Sequence, residues 1–251
     1  VGGGGRVSMD YSSDRLCIVS DGSAYYAGSD SVTPITDPDI GTPIDVVWVD
    51  GYFMFTDGNF IYVTELNDPF SIDPTKYAAS EIDPDYVTGL LKYRNEIYVF
   101  NRNTIEVFDD TGGSGFPFSR VSGGLIPKGC VGTHAKCLFA ETFAWLGSAR
   151  NEANSVYVAS GGSAVKIATR EVEERIAAYT EEELTDVLVE AKADRLHQHL
   201  YVHLPNETLV YDATASLVAG QPVWFFISTG VSGIHPYRAQ NFVYAYGKWI
   251  V

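Results

Sequence analysis

A two-stranded hairpin pattern recurs six times along the chain, and this repeat constrains the fold more than any other feature. Each copy is a short run of apolar residues, a turn rich in Asp, Gly, Asn or Pro, and a second short run. The β-branched and aromatic residues in these runs favour strands. The first strands begin 37, 44, 46, 57 and 42 residues apart, at Leu16, Phe53, Ile97, Phe143, Leu200 and Phe242.

Weaker strand candidates lie between the hairpins and bring each repeat to about four strands. A period of roughly 40 to 45 residues with four strands is typical of a β-propeller blade. We therefore predict an all-β fold, a β-propeller of about six four-stranded blades with the last blade incomplete, in a single domain over residues 1–251. Blades are expected to start near residues 7, 45, 87, 133 and 187. A long β-sandwich also alternates short strands with turns and is the alternative.

One segment departs from the β pattern, REVEERIAAYTEEELTDVL at residues 170–188. Val172 and Ile176 are four residues apart, and Thr180 with Glu183 matches a capping box, so a short helical insertion is predicted near 170–186. The insertion also explains the spacing of 57 residues. Two roles fit it, either covering a blade edge or making an assembly contact through Glu173, Glu174, Glu181 and Glu182.

The charge of the chain argues against two classes of partner. It contains 32 Asp and Glu residues against 17 Lys and Arg, a formal net charge of −15. Such a surface repels nucleic-acid phosphates and anionic lipids, because tight phosphate binding needs clustered cations. No apolar run approaches the roughly 20 residues of a membrane-spanning helix. The sequence therefore predicts neither tight DNA binding nor a membrane association.

Metal-binding patterns are weak. His197, His199 and His203 share a strand face, but at ~3.3 Å per residue the first and last lie about 20 Å apart, too far for one ion. That leaves only the pair His197 and His199, and all three are interpreted as residues of a solvated face. The stretch GCVGTHAKC, from Cys130 to Cys137, offers three ligands without a second pair, so both thiols are interpreted as small buried hydrophobes.

Catalytic patterns are weaker still. Paired acids such as Asp109 and Asp110 would suit glycoside hydrolysis only if two stood across a cleft, and acids in such loops usually build turns. Nucleotide-binding and nucleophile-elbow motifs are missing from the sequence. With Cys17 there are three cysteines, too few for a disulfide framework, so thiols are expected. We predict no catalytic, cofactor-binding or metal-binding residue.

Several long stretches resemble one known family. In chain order, they lie at residues 5–9 (GRVSM), 66–90, 103–112 (NTIEVFDDTG), 128–147 (KGCVGTHAKCLFAETFAWLG) and 167–213. They are similar to the packaged-DNA stabilisation proteins of short-tailed bacteriophages, also called tail accessory factors or tail hub proteins. Members of that family carry further sequence on both sides, so this chain is expected to be a fragment of a longer protein.

The resemblance implies a structural role in the virion. Such a protein would form a ring of identical copies in the tail, below the portal and the head-to-tail adaptor. There it would close the channel after packaging, retain the genome and carry the tail needle and tailspikes. It would be found in the host cytoplasm during assembly and in the virion tail afterwards. The alternatives are a glycan-acting propeller enzyme and a peptide-binding propeller adaptor.

Overall fold

The structure, a computed structural model, describes residues 5–80 and 85–251. In this part of the chain five four-stranded antiparallel sheets follow one another, and each uses four strands that are consecutive in sequence. A two-stranded sheet follows them. The order of strands in every sheet is the order in the chain, which is the meander of a propeller blade.

The first three sheets lie in the first half of the chain. Sheet 1 contains β1 (Ser8–Tyr11), β2 (Leu16–Ser20), β3 (Ser23–Ala27) and β4 (Val32–Pro34). A 3-10 helix at Pro38–Ile40 leads to sheet 2, with β5 (Asp45–Val49), β6 (Tyr52–Thr56), β7 (Phe60–Glu65) and β8 (Asp68–Ala79). Sheet 3 contains β9 (Val87–Tyr93), β10 (Glu96–Asn101), β11 (Ile105–Asp110) and β12 (Phe118–Ile126).

The remaining sheets lie in the second half. Sheet 4 contains β13 (Lys136–Phe139), β14 (Thr142–Gly147), β15 (Ser155–Ser160) and β16 (Ser163–Lys166). Helices α1 (Arg170–Ile176) and α2 (Glu181–Thr185) precede sheet 5, which contains β17 (Leu188–Ala193), β18 (Gln198–His203), β19 (Thr208–Asp212) and β20 (Trp224–Ile227). Helix α3 (Ala213–Ala219) lies between β19 and β20, and β21 (Val243–Ala245) and β22 (Lys248–Ile250) form the last hairpin.

The first five predicted hairpins are confirmed as the middle strands of the sheets, and the five sheets begin close to the predicted positions. The helical insertion is confirmed as α1 and α2. The number of complete blades is five, because the sixth hairpin forms a sheet of only two strands within the described residues. Residue contacts divide the chain into two compact units, Val1–Gly129 and Cys130–Val251. That the two units form one domain remains a prediction.

In the first unit, sheet 2 is buried on both faces. Phe53 and Phe55 of β6 pack into a cluster with residues of sheet 1, including Cys17 and Tyr26. Met54, between them in sequence, points to the other face and packs with residues of sheet 3. Side chains alternate between the two faces of a strand, so one apolar run supplies two separate cores.

Carboxylates connect the first strands of neighbouring sheets in this unit. Asp10 Oδ2 of β1 accepts a hydrogen bond from the backbone N–H of Trp48 in β5 at 2.6 Å, and Asp45 Oδ2 of β5 accepts one from Leu90 in β9 at 2.8 Å. A first strand has a neighbour on only one side in its own sheet, so its outward N–H groups lack ladder partners. Asp10 and Asp45 supply acceptors for two of these groups, the N–H of Trp48 and the N–H of Leu90.

Candidate functional site

Helices α1 and α2 are fixed to the second unit by a few apolar side chains. Val172 and Ile176 of α1 and Leu184 of α2 are buried. The capping box of α2 is confirmed, since Thr180 Oγ1 accepts from the Glu183 N–H and the Glu183 carboxylate accepts from the Thr180 N–H. A side chain at Gly132 would overlap the backbone of the last residue of α2, so glycine is required for this close approach.

A polar contact joins α1 to sheet 5. The guanidinium of Arg175 donates to Glu207 Oε2 at 2.8 Å and lies 4.2 Å from the ring centroid of Phe226 in β20. Tyr179, just beyond α1, approaches the other oxygen of Glu207 at 3.5 Å. Because Glu207 is buried, this contact fixes the helix against the β18–β19 turn.

The four glutamates predicted as an assembly contact fall into two pairs. Glu173 forms a 2.6 Å ion pair with Lys166, and Glu181 accepts from the side-chain amide of Asn154 at 2.8 Å. Both therefore help to hold the helices against sheet 4. Glu174 and Glu182 are exposed, and Glu174 only pairs with Arg170 one helical turn earlier. An assembly contact through these glutamates remains a prediction.

A cluster of three metal-ligand side chains lies at one end of sheet 5. The ligand atoms of His197, His199 and Asp212 all lie within 4.8 Å of one another. Asp212 Oδ2 is 2.5 Å from Nδ1 of His197 and 3.3 Å from Nε2 of His199. The sequence indicates the two histidines as a pair but not the carboxylate, and the absence of a metal-binding residue stays a prediction.

The third histidine of that pattern has another role. The interpretation of His203 as a residue of a solvated face is wrong, because its imidazole is buried. Its Nε2 lies 2.8 Å from Glu190 in β17, and its Nδ1 lies 3.2 Å from Thr208 in β19. Glu190 also accepts the backbone N–H of Phe242 at 2.9 Å. These contacts link the inner strands of sheet 5 to the last hairpin.

The cysteines match their predictions only in part. All three cysteines remain as thiols, and Cys17 and Cys130 are buried, whereas Cys137 is half-buried. Burial raises the pKa of the Cys17 thiol. All four tryptophans lie in strands, but only Trp145 is fully buried, and Trp48, Trp224 and Trp249 are half-buried. Among residues 5–80 and 85–251, Cys130, His134 and Cys137 do not form a group of close metal ligands.

Helices are short throughout the described residues, none exceeding seven residues. In this part of the chain no helix has the length and apolar composition needed to cross a membrane.

Successive four-stranded meanders, stacked within each unit by their first strands, define a protein of the β-propeller class. The chain belongs to the family described as "Bacteriophage P22 Gp10, beta-propeller", whose profile matches residues 1–251. It is 30% identical over 263 residues to the tail hub protein gp10 of Salmonella phage P22. The resemblance found in the sequence is thus confirmed. That alignment covers 97% of this chain and 54% of the relative, so the chain spans about half of the relative's length.

Solved structures give weaker similarity. AztD from Citrobacter koseri is 12% identical, with a TM-score of 0.46 over 92% of this chain and 73% of that one. Hsv2 from Kluyveromyces lactis is 13% identical, with a TM-score of 0.40 over 82% and 59% of the two chains. Similarity at this level bears on neither ligand nor function.

Proposed function

We propose that the protein containing this chain is a structural tail hub of a short-tailed bacteriophage. It closes the portal channel after DNA packaging, retains the genome, and connects the head-to-tail adaptor to the tail needle and tailspikes. It acts as a ring of identical copies in the virion tail, after assembly in the host cytoplasm. The observation that carries the proposal is the family match over residues 1–251, together with 30% identity to the phage P22 tail hub protein.

The physical features of the chain support a scaffold rather than a catalyst. Sheets buried on both faces are rigid, and their loops can present separate surfaces to separate partners. A ring forms when one patch on a copy meets a different patch on the next copy. The outer glutamates of the helical insertion, Glu174 and Glu182, belong to one such patch. No catalytic role is proposed for any residue.

Genome retention in this proposal is steric. A net charge of −15 opposes the phosphate backbone and leaves no basic stripe to replace its counterions. We expect the chain to be a monomer in solution with no saturable binding to duplex DNA in an anisotropy titration at ~150 mM salt. Saturable binding that weakens steeply with added salt would show that retention is adhesive instead.

Channel closure is tested with DNA-filled heads that carry portal and adaptor but no hub. Adding the full-length protein is expected to make the packaged DNA resistant to added nuclease. Continued digestion of DNA in heads that have demonstrably bound the protein would refute closure.

The assembly contact is tested separately in the same system. The double change Glu174→Lys and Glu182→Lys is expected to weaken binding of the full-length protein to these heads by about tenfold, because the reversed charges no longer match a complementary surface. A double reversal at Asp30 and Asp109, exposed acids of sheets 1 and 3, is the control and should bind as the parent does. Equal binding by both variants would refute the contact and leave closure untouched.

A further inference from the structure

We propose that His197, His199 and Asp212 form a binding site for a divalent transition-metal ion, with Zn²⁺ as the ion that fits the ligands best. Two imidazole nitrogens and one carboxylate oxygen are a ligand set that Zn²⁺ accepts, and three protein ligands leave a fourth position for solvent. The site is independent of the proposed tail role.

The strands bring these residues together from separate parts of sheet 5. His199 in β18 and Asp212 in β19 are directly opposite in the antiparallel register, so their side chains emerge side by side. His197 lies two residues before His199, hence on the same face, and its ring stacks on that of His199 with centroids 5.4 Å apart. The cluster therefore depends on regular strand pairing and not on a flexible loop.

The carboxylate is oriented before any ion arrives. Asp212 is the N-cap of α3, and its Oδ1 accepts the backbone N–H of Ala215 at 2.9 Å. Its other oxygen, Oδ2, faces both imidazoles.

The imidazoles are also held in place. The ring of His199 is edge-on to Phe225 at 5.7 Å and to Tyr201 at 6.2 Å, which fixes its plane. His197 is attached to the β17–β18 turn, where Asp194 accepts its backbone N–H at 2.8 Å. The side chain of His197 is 43% exposed, so solvent and ions can reach the cluster.

The distances from the carboxylate need one adjustment. Ligand atoms about 2.1 Å from a tetrahedral ion lie about 3.4 Å from one another. The 3.3 Å separation of Asp212 and His199 already matches this value. The 2.5 Å contact of Asp212 with His197 must lengthen by roughly 0.9 Å, and the partly exposed imidazole of His197 has room to rotate.

The test is a Zn²⁺ titration of the chelator-washed chain by calorimetry at pH 7.5. We expect one ion per chain with a dissociation constant in the micromolar range or below, and no heat from Ca²⁺ or Mg²⁺, which prefer oxygen ligands. Co²⁺ should give the intense visible bands of a tetrahedral site.

Variants decide which residues hold the ion. Asp212→Asn keeps an oxygen for the α3 cap and should lose at least about tenfold in affinity, as should His197→Ala and His199→Ala. His235→Ala, at an exposed histidine outside the cluster, is the control and should bind as the parent does. Absence of stoichiometric Zn²⁺ binding, or binding that persists when both His197 and His199 are alanine, would overturn the site. Circular dichroism confirms that each variant is folded.

Discussion

Sheets 2 and 5 have the same topology and different interiors. The middle strands of sheet 2 bury Phe53, Met54, Phe55 and Ile61, and its first strand buries Asp45. Sheet 5 buries Glu190, His203 and Asp212 among its apolar residues and carries helices α1, α2 and α3 at its edges. Buried polar groups are costly unless they are hydrogen-bonded. Their presence therefore marks positions where side chains make specific contacts in addition to packing.

The contrast is between a sheet whose interior mainly stabilises the fold and a sheet whose buried side chains also make specific polar contacts. Apolar burial in sheet 2 is non-directional and gives stability, and the buried carboxylate of Asp45 joins this sheet to sheet 3. The polar contacts of sheet 5 fix the last hairpin through Glu190 and the helices through Glu207. We therefore expect changes in sheet 2 to alter stability, and changes in sheet 5 to alter local attachment and ion binding.

The largest effect is expected in the core of sheet 2. Phe53→Ala removes a fully buried ring that packs 4.7 Å from Trp48 and 5.2 Å from Tyr26. It should lower the free energy of unfolding by about 3 to 5 kcal/mol in urea titrations. Phe60→Ala, on the neighbouring strand, is the control. Its ring is 42% exposed, so its loss should cost less than about 1 kcal/mol, and equal costs would contradict the assignment of the core.

The carboxylate that joins sheets 2 and 3 should rank next. Asp45→Ala leaves the buried N–H groups of Val46 and Leu90 without their acceptors and should cost about 1 to 3 kcal/mol in the same titrations. Asp45→Asn retains one acceptor oxygen and should cost less. Asp109→Ala, at an exposed acid of sheet 3, is the control and should leave the free energy of unfolding almost unchanged. If Asp45→Ala cost no more than Asp109→Ala, the link between the sheets would be dispensable.

A smaller effect is expected where the helices meet sheet 5. Arg175→Ala removes the partner of the buried Glu207 and the contact with Phe226, and it should cost about 1 kcal/mol because Arg175 is itself partly exposed. Hydrogen exchange should show earlier opening of α1. Arg170→Ala breaks only the exposed pair with Glu174 and should cost about 0.5 kcal/mol or less. Indistinguishable exchange in the two variants would mean that the apolar residues alone hold the helices.

Most of the fold could be predicted from the sequence because each blade carries its own local pattern of strands and turns. Apolar runs around a turn fix both the hairpin and its register. Outer strands are harder, as β8 shows. It contains Pro69 and Pro74, which suggest turns, yet it runs for twelve residues at the sheet edge, where proline's missing N–H costs nothing.

The polar cluster of sheet 5 could be predicted only by working out which strands pair with each other. His197 and His199 stand together in the sequence, but Asp212 joins them only through the β18–β19 register, which places it opposite His199. A hairpin centred on Pro205 and Asn206 predicts that pairing. Burial of His203 could not be predicted. Alternation along β18 places it on the same face as His197 and His199 but does not show which residues cover that face.

The smallest expected effect concerns pH and compares the carboxylate between sheets 1 and 2 with the one in sheet 5. Burial raises the pKa of Asp10 above its ordinary value of 3.8, with Asp45 adding to the rise, while the N–H groups of Trp48 and Tyr11 and the charge of Lys92 oppose it. Asp212 has its pKa lowered from the same ordinary value. The two acids should therefore give stability profiles of opposite slope.

For Asp10, the folded protein holds the proton more tightly than the unfolded chain, so its contribution to stability is full below pH 3.8 and is lost as the pH rises through its raised pKa. For Asp212, the contribution is full above pH 3.8 and is lost as the pH falls towards its lowered pKa. Urea titrations from about pH 2.5 to 6.5 on the parent, Asp10→Asn and Asp212→Asn give the two difference curves. The stability of the parent minus that of the variant should fall with pH for Asp10→Asn and rise with pH for Asp212→Asn. Difference curves with the same slope would mean that the pKa values of the two carboxylates shift in the same direction. The contrast between the apolar contact of sheets 1 and 2 and the polar end of sheet 5 would then be wrong.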